Sequence, residues 1–427
     1  MPYDIIVGRD DADKKRFKDR GLIYLGKGYV KMGNYTSLSN LIWMDIVRSH
    51  VVLISGKRGS GKSYTIGVMA EELADLPREA KDNIASLIFD TMGIFWTMKY
   101  KNDKDKPLLQ EWKLKSKNLP VRIFVPHGHF EEYEEKQIPV DNKFSLKASE
   151  LEIEDWLLTF NLGIIDPVSI LIEKIISNLK EQGDFSINDI LEKIKDSGEK
   201  EEIKKAASAL FEAAATWGIF SEQAESIQVT DLIEAGKTTI LDLSVYSSVS
   251  TFNVRALVIG LISRKLFTER MAARKKEEID ALHGGESRKE MPLVWLFLDE
   301  AHEFLPEKNK TPATDALIQL LREGRQPGIS LVLATQQPGA IHRDVMTQSD
   351  IILSHRVTAQ PDITALNNIM QTYLLDSIKK HLDELPNLKG SAIILDDNSE
   401  RIYPIRIRPR FTWHGGEAPT SIKEEKI

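Results

Sequence analysis

Residues 51–63, VVLISGKRGSGKS, join an apolar run to a glycine-rich stretch that ends in a Lys-Ser pair. The apolar run predicts a buried strand, and the residues that follow, YTIGVMAEEL, predict a helix. Between them, the spacing Gly56-x-x-x-x-Gly61-Lys62-Ser63 matches the phosphate-binding P-loop, which requires a strand before it and a helix after it. Both conditions are met, so this stretch predicts a nucleotide site.

Each residue type in this loop has its own task. The glycines allow backbone N–H groups to surround a polyphosphate, which side chains at those positions would block. Lys62 places a positive charge against the β- and γ-phosphates, and the Ser63 hydroxyl is a ligand for magnesium. The positive end of the helix dipole faces the same anion. The predicted nucleotide-binding residues of this stretch are Gly56, Arg58, Gly59, Ser60, Gly61, Lys62, Ser63 and Tyr64.

The composition is that of an ordinary globular protein. The chain has 427 residues, 42% of them hydrophobic, which is enough for one large domain with attachments or for two domains. The absence of cysteine excludes disulfides, thiolate metal sites and a catalytic thiol. A net charge of −7 argues against a wholly basic surface for wrapping nucleic acid, but not against a basic channel. Without a signal peptide or an apolar run of about 18 residues, we expect a cytoplasmic protein with no membrane contact.

Apolar runs that alternate with helical patterns predict an α/β fold with a mostly parallel sheet. One such run, ASLIF, ends at Asp90, on the rim where open α/β sheets bind ligands. Short runs punctuated by glycines predict an N-terminal β module, and four stretches with helical spacing predict an all-helical insertion. A lid, a partner-binding element and a simple bundle are all compatible with this insertion. The expected divisions are a β module (1–50), a core in two parts (51–149 and 233–410), the helical insertion (150–232) and a C-terminal tail (411–427).

A second motif, LFLDEAH at residues 296–302, is a buried strand that ends in paired carboxylates. In a P-loop enzyme, Asp299 holds magnesium through water, and Glu300 polarises the water that attacks the phosphate. One carboxylate would be enough for binding, whereas the pair favours hydrolysis.

Two further polar residues are suited to the same chemistry, whereas three histidines are not. The strand LVLATQQ places Gln336 where its amide can contact the γ-phosphate or the attacking water. Arg325 follows a helix and is suited to stabilising a transferring phosphoryl group, in ring ATPases often from the next subunit. An arginine that interacts with a helix dipole is an equally good explanation of Arg325. His302, His342 and His355 lack metal-ligand spacing and are expected to be structural or solvent-facing.

Assembled in order, these motifs resemble the HerA/FtsK superfamily of hexameric motor ATPases, and most of all its HerA branch. The resemblance rests on GKRGSGKS, the strand ending in Asp90 with Gly93 after it, ILDLS, LFLDEAHEF, EGRQPGISLVLATQQP and RPRFTWHGG. These motifs occur in the family's order and span about residues 48–415.

The resemblance implies a RecA-like P-loop core in a homohexameric ring, with ATP and Mg²⁺ between subunits and double-stranded DNA in a central pore. It assigns roles in phosphate binding, magnesium binding, base catalysis, sensing and trans-acting arginine chemistry to Lys62, Ser63, Asp299, Glu300, Gln336 and Arg325. Asp90 matches an acidic residue that family members carry after the second strand. Arg48 is a candidate second arginine before the P-loop strand, at an offset spacing.

Two departures from the family pattern bear on function. Family members commonly place a glutamate after the second-strand Asp and Gly, whereas Ile94 stands here. The β module is shorter than the N-terminal barrel that in relatives docks the nuclease NurA, so a NurA-like partner is a hypothesis. Three functions follow: a DNA translocase or helicase in end processing, a related motor for conjugation or packaging, and a nucleotide-gated scaffold without productive turnover.

Overall fold

The computed structural model describes residues 3–32, 35–220, 226–246, 252–283, 291–370 and 378–416. The part of the tail at 417–427 therefore lies outside the described residues. The strands are β1 (Ile5–Val7), β2 (Leu22–Met32), β3 (Tyr35–Asp45), β4 (Val51–Ser55), β5 (Ile84–Asp90), β6 (Arg122–Pro126), β7 (Asn142–Phe144), β8 (Thr238–Asp242), β9 (Leu293–Leu298), β10 (Ile329–Thr335), β11 (Ile351–His355), β12 (Ser391–Asp396) and β13 (Arg401–Ile407).

The helices lie between the strands, as the alternating pattern predicted. They are α1 (Asp11–Phe17), α2 (Lys62–Ala74), α3 (Arg78–Lys81), α4 (Lys106–Glu111), α5 (Phe130–Glu135), α6 (Ile153–Thr159), α7 (Pro167–Gln182), α8 (Ile187–Asp196), α9 (Glu201–Ala215), α10 (Val229–Leu232), α11 (Val254–Leu282), α12 (Thr314–Glu323), α13 (Arg343–Gln348), α14 (Gln360–Met370) and α15 (Ile378–Asp383). In the described part of the chain, no helix combines the length and apolar character needed to cross a bilayer.

The strands form one sheet in the order β1-β3-β2-β13-β12-β11-β4-β10-β9-β5-β8-β6-β7. Every neighbouring pair from β11 across to β7 is parallel. The P-loop strand β4 lies between β10 and β11, and β10 separates it from β9, the strand of the paired acids. The prediction of an α/β fold with a mostly parallel sheet is confirmed.

The residues predicted to form an N-terminal β module do form strands, and these extend the main sheet. The hairpin of β2 and β3 pairs through β2 with β13, and β12 and β13 pair antiparallel. These strands and the parallel core share one continuous row of backbone hydrogen bonds. The division of the chain into domains stays a prediction.

Two hydrophobic cores cover the two faces of the sheet, because successive side chains of a strand point to opposite faces. In β4, Leu53 belongs to the core that also contains the helical insertion, whereas Val52 and Ile54 belong to the core beneath α2. The insertion comprises α6 to α10, and its side chains are continuous with the first core. Ser186 caps α8 by accepting a hydrogen bond from the Asp189 N–H. Burial on both faces explains why the central strands are continuous apolar runs.

Candidate nucleotide site

The P-loop forms a concave turn between β4 and α2 that requires glycine at particular points. A Cβ atom at Gly56 would collide with Ser60 Oγ and lie 2.7 Å from His355 Cβ. Gly61 precedes α2 with a φ of 115°, a left-handed conformation that favours glycine. Ser60 Oγ is buried in this turn without a hydrogen-bond partner. Arg58, also predicted to bind the nucleotide, is exposed on the loop.

A single hydrogen bond joins the P-loop to the acidic strand. Ser63 Oγ donates to Asp299 Oδ2 over 2.5 Å, although 236 residues separate the two in sequence. Lys62 is 5% exposed; burial lowers its pKa, and the nearby Glu300 and Asp299 oppose that shift. Burial also raises the pKa of Asp299 against the effect of the Ser63 hydrogen bond. The lysine and both acids therefore lie at one edge of the sheet, as the sequence predicted.

The predicted base, Glu300, has a strained backbone and one satisfied carboxylate oxygen. Its φ of 51° is uncommon for a residue other than glycine, and such strain is found disproportionately at functional sites. Oε1 accepts a hydrogen bond from Gln336 Nε2, which places the predicted sensor in contact with the predicted base. Oε2 is buried without a hydrogen-bond partner. Its neighbour is His302, with Nδ1 at 3.6 Å from Oε2.

These groups fit a magnesium nucleotide. The glycine cradle, the free Ser60 hydroxyl and the unsatisfied Glu300 oxygen leave polar atoms without a protein partner where the phosphates and a water would lie. Within the described residues, no group of three or more histidine, aspartate or glutamate side chains could hold a metal ion. Magnesium is commonly bound by one or two protein oxygens plus substrate phosphates, and Ser63 and Asp299 offer such oxygens.

Asp90 lies on the same rim but at some distance from the P-loop. β5 is separated from β4 by β9 and β10, and the Asp90 carboxylate accepts hydrogen bonds from the backbone N–H groups of Met92, Gly93 and Phe95. Its register partner on β8 is Asp242, and burial beside this second carboxylate raises the pKa of Asp90 to about 7. These contacts give Asp90 the role of shaping its own turn. Its direct contact with a nucleotide stays a prediction.

Arg325 lies at the opposite edge of the sheet. It precedes β10, whereas Gln336 follows that strand, and seven residues of strand span about 20 Å. Arg325 and Arg48 line the same cavity of about 530 Å³, together with Arg270, Arg274 and Glu277. This shared position was not evident from the offset spacing of Arg48. Arg48 is paired with Asp13, and among the described residues no hydrogen bond or ion pair joins either arginine to the P-loop.

Tyr64 faces the C-terminal segment, and its hydroxyl accepts the Arg410 N–H over 2.7 Å. Two turns further along α2, the buried Glu71 carboxylate accepts hydrogen bonds from Arg408, Arg410, and residues 411 and 412. The closing motif RPRFTWHGG therefore anchors the C-terminal segment to the P-loop helix. The motif is recognisable in the sequence but its partner is not, because a glutamate inside a helix carries no local sign of burial.

His302, which the sequence predicts to be structural or solvent-facing, lies at the site beside Thr335 and Glu300, and Thr335 itself had no predicted role. Thr335 Oγ1 lies 3.2 Å from His302 Nδ1 and accepts the Gln337 N–H over 3.0 Å. The position of His302, two residues after the acidic pair, is the one feature that could have indicated it. His355 is fully buried between Thr65 and the Ser391 carbonyl, in agreement with a structural role.

Residues 41–266 match the family model of the central domain of helicase HerA. The chain belongs to this HerA central-domain family. A curated relative, the DNA double-strand break repair helicase HerA of Sulfurisphaera tokodaii, is 22% identical over 313 residues, covering 72% of this chain and 54% of the relative. The HerA of Pyrococcus furiosus is 25% identical over 142 residues, which are 31% of this chain and 24% of that protein. The HerA-family chain thus spans about a quarter to a half of the length of these two relatives.

Solved structures share the fold of this HerA-family chain. VirB4 of Thermoanaerobacter pseudethanolicus has a TM-score of 0.55 at 13% identity, covering 92% of this chain and 98% of VirB4. The bacterial conjugative coupling protein TrwB has a TM-score of 0.51 at 12% identity, covering 86% of this chain and 88% of TrwB. At this level of identity, the similarity shows a common RecA-like P-loop fold.

Proposed function

We propose that this protein is an ATP-driven motor that translocates or unwinds double-stranded DNA as a homohexameric ring. The observation that carries the proposal is the hydrogen bond between Ser63 and Asp299, which brings the P-loop and the acidic pair to one edge of the sheet. Membership of the HerA family and the double-strand break repair relatives support a role in DNA end processing. A cytoplasmic location belongs to the same proposal.

The side chains divide the chemistry of hydrolysis among them. Lys62 binds the β- and γ-phosphates. Ser63 and Asp299 would hold a Mg²⁺ ion, which would supply positive charge against the phosphates. Glu300 accepts a proton from the attacking water, and Gln336, which is hydrogen-bonded to Glu300, senses whether the γ-phosphate is present. The strained backbone of Glu300 keeps its carboxylate at the rim.

Conversion of Glu300 to glutamine tests this assignment. We expect Glu300→Gln to lower ATP turnover by about 100-fold or more, since the amide cannot accept the proton. The dissociation constant for ATP should change little, and duplex DNA should raise wild-type turnover several-fold. Unchanged turnover in the variant would remove Glu300 as the base. Wild-type protein that binds ATP but does not turn it over, with or without duplex DNA, would instead favour a nucleotide-gated scaffold.

The ring proposal follows from the position of Arg325 at the edge opposite its own P-loop. An arginine in that position can act on a nucleotide only if a neighbouring subunit presents its site to it. Lys62→Ala and Arg325→Ala should each be inactive alone. When the two variants are mixed in equal amounts and exchange subunits, turnover should recover to about a quarter of the wild-type value. About a quarter of the interfaces then combine an intact Lys62 from one subunit with an intact Arg325 from its neighbour. No recovery in mixed rings of verified mass would place Arg325 outside the shared site.

The proposal also includes a cellular task and a partner protein. The hairpin of β2 and β3 is the candidate docking surface for a NurA-like nuclease, by analogy with the family. Capture of a nuclease by the native protein, and its loss when the hairpin is altered, would support this partner. Consistent absence of nuclease activity from the purified native complex would argue for another DNA-transport task, such as conjugation or packaging.

A further inference from the structure

His302 lies between the proposed base and the sensor strand. It belongs to the short 3-10 turn Ala301–Glu303 that follows the acidic pair, and its side chain is 18% exposed. Nδ1 is 3.2 Å from Thr335 Oγ1 and 3.6 Å from Glu300 Oε2. The same ring nitrogen therefore faces the last residue of β10 and the carboxylate at the end of β9.

The unsatisfied oxygen of Glu300 indicates what this nitrogen does. Oε1 is hydrogen-bonded to Gln336, whereas Oε2 is buried and has no hydrogen-bond partner. A separation of 3.6 Å is too long for a hydrogen bond, but a movement of about 0.5 Å would bring Oε2 within range of Nδ1. A buried carboxylate oxygen without a donor is unfavourable, so this movement is favoured.

The hydrogen-bond pattern also selects the tautomer of His302. A carboxylate only accepts, so Glu300 Oε2 gains a donor only when the proton of the neutral ring is on Nδ1. Thr335 Oγ1 can accept that proton in the arrangement seen here, because its own hydrogen is free to point elsewhere. The hydrogen bond donated by Nδ1–H can therefore switch from Thr335 Oγ1 to Glu300 Oε2 without any change in the protonation state of His302.

The charge of the ring fits this role. Burial and the positive charge of Lys62 lower the pKa of His302, so the imidazole is neutral near pH 7. A neutral donor orients the Glu300 carboxylate without cancelling its negative charge.

We propose that His302 is a positioning residue that donates from Nδ1 to Glu300 Oε2 during turnover and holds the carboxylate toward the attacking water, with Thr335 as its alternative acceptor. The inference rests on the proposed ATPase function. It assigns to His302 an effect on turnover and none on nucleotide affinity, since the ring contacts the base and not the P-loop cradle.

The test compares replacements that place an amide at different ring positions. His302→Asn puts an N–H donor near the position of Nδ1, His302→Gln puts it near Nε2, and His302→Leu keeps the volume without a donor. We expect kcat to fall by about 10- to 100-fold in the Gln and Leu variants and by no more than about threefold in the Asn variant. The dissociation constant for ATP should stay within about twofold of wild type in all three.

Several outcomes would overturn the proposal. Equal losses in the Asn and Leu variants would mean that no donor at Nδ1 is needed, and wild-type kcat in the Leu variant would mean that no donor is needed anywhere. A loss confined to ATP affinity would move His302 to the binding site. Wild-type protein that binds ATP but does not hydrolyse it, with or without duplex DNA, would contradict the proposed function itself and is read from the wild-type control.

A second pair of variants keeps the proposal testable if the His302 variants do not fold. Thr335→Ser retains the hydroxyl that Nδ1 contacts, and Thr335→Val removes it at nearly constant volume. With the alternative acceptor gone, the Val variant should show an altered kcat at unchanged ATP affinity, and the Ser variant should resemble wild type. Identical kinetics for Val and Ser would refute the exchange between Thr335 and Glu300.

Discussion

Replacing Glu71 with glutamine should destabilise the protein, because this carboxylate is the anchor of the C-terminal segment on the P-loop helix. Glu71 is fully buried, and its oxygens accept from Arg408 Nη1 and Arg410 Nε at 3.0 Å each. They also accept from the backbone N–H groups of Phe411 and Thr412 and from the Thr412 hydroxyl, at 2.9, 3.0 and 2.5 Å. In Glu71→Gln, one oxygen becomes an amide donor that faces other donors. The buried Arg410 guanidinium loses its counter-charge, and Arg408 keeps only its ion pair with Glu72.

The size of the effect follows from this burial. Removing one partner of a buried ion pair costs about 3 to 5 kcal/mol. For 427 residues, an unfolding entropy of about 2.1 cal/mol/K per residue makes 1 kcal/mol worth about 1 °C, so Tm should fall by about 3 to 6 °C. Differential scanning calorimetry at pH 7 measures this shift. Glu79→Gln is the matched control: Glu79 is paired with Arg20, both side chains are more than 60% exposed, and the shift should be below about 1 °C.

The pH dependence of Tm is a second, independent test of the same contact. Burial raises the pKa of Glu71, but the charges of Arg410 and Arg408 and the hydrogen bonds from Thr412 and Phe411 outweigh it and hold the pKa below the ordinary 4.5. The stabilisation is therefore present above pH 4.5 and is lost as the pH falls through the native-state pKa. The difference in Tm between wild type and Glu71→Gln should shrink in acid. A shift at pH 7 no larger than that of Glu79→Gln would refute this reasoning.

Two further predictions concern the nucleotide site and the opposite edge of the sheet. In titration calorimetry, Mg²⁺ should strengthen ATP binding by the wild-type protein, and Ser63→Ala should abolish this effect while leaving ATP binding in EDTA unchanged. Ser63→Thr, which keeps the hydroxyl, is the control. Equal magnesium dependence in the two variants would contradict the Ser63–Asp299 site. Burial tends to lower the pKa of His50, but hydrogen bonds to Asp350 and Asp45 raise it to about 9. Its stabilisation, about 3 kcal/mol, is full below pH 6.5 and is lost as the pH rises through about 9, so Tm of wild type and His50→Gln should converge by pH 10.

Local patterns were sufficient to locate the elements and most of the candidate site. A P-loop needs a strand, glycines and a Lys-Ser pair within a few residues, so Lys62 and Ser63 could be recognised without knowledge of the fold. The acidic pair could be placed at a strand end for the same reason. That these groups share a rim follows from a general rule, because parallel strands bring their carboxyl ends to one edge.

Other residues could be interpreted only in three dimensions. Asp90 resembles a ligand in sequence, but its carboxylate is occupied by three N–H groups of its own turn. Glu71 looks like any helical glutamate, yet it binds a segment more than 330 residues away. His302 has no metal-ligand spacing, and its proposed role follows from the missing hydrogen-bond donor to Glu300 Oε2, which lies 3.6 Å from His302 Nδ1.

The sequence by itself determined the strand–loop–helix of the nucleotide site, the acidic strand end and the alternation of strands and helices, because each depends on residues close together in the chain. Tertiary structure alone decided the strand order, the joining of the N-terminal hairpin to β13 and the placement of Arg48 beside Arg325. Strand pairing and buried ion pairs depend on contacts between distant segments, and the free energy of such contacts is set by packing and burial that no local pattern records.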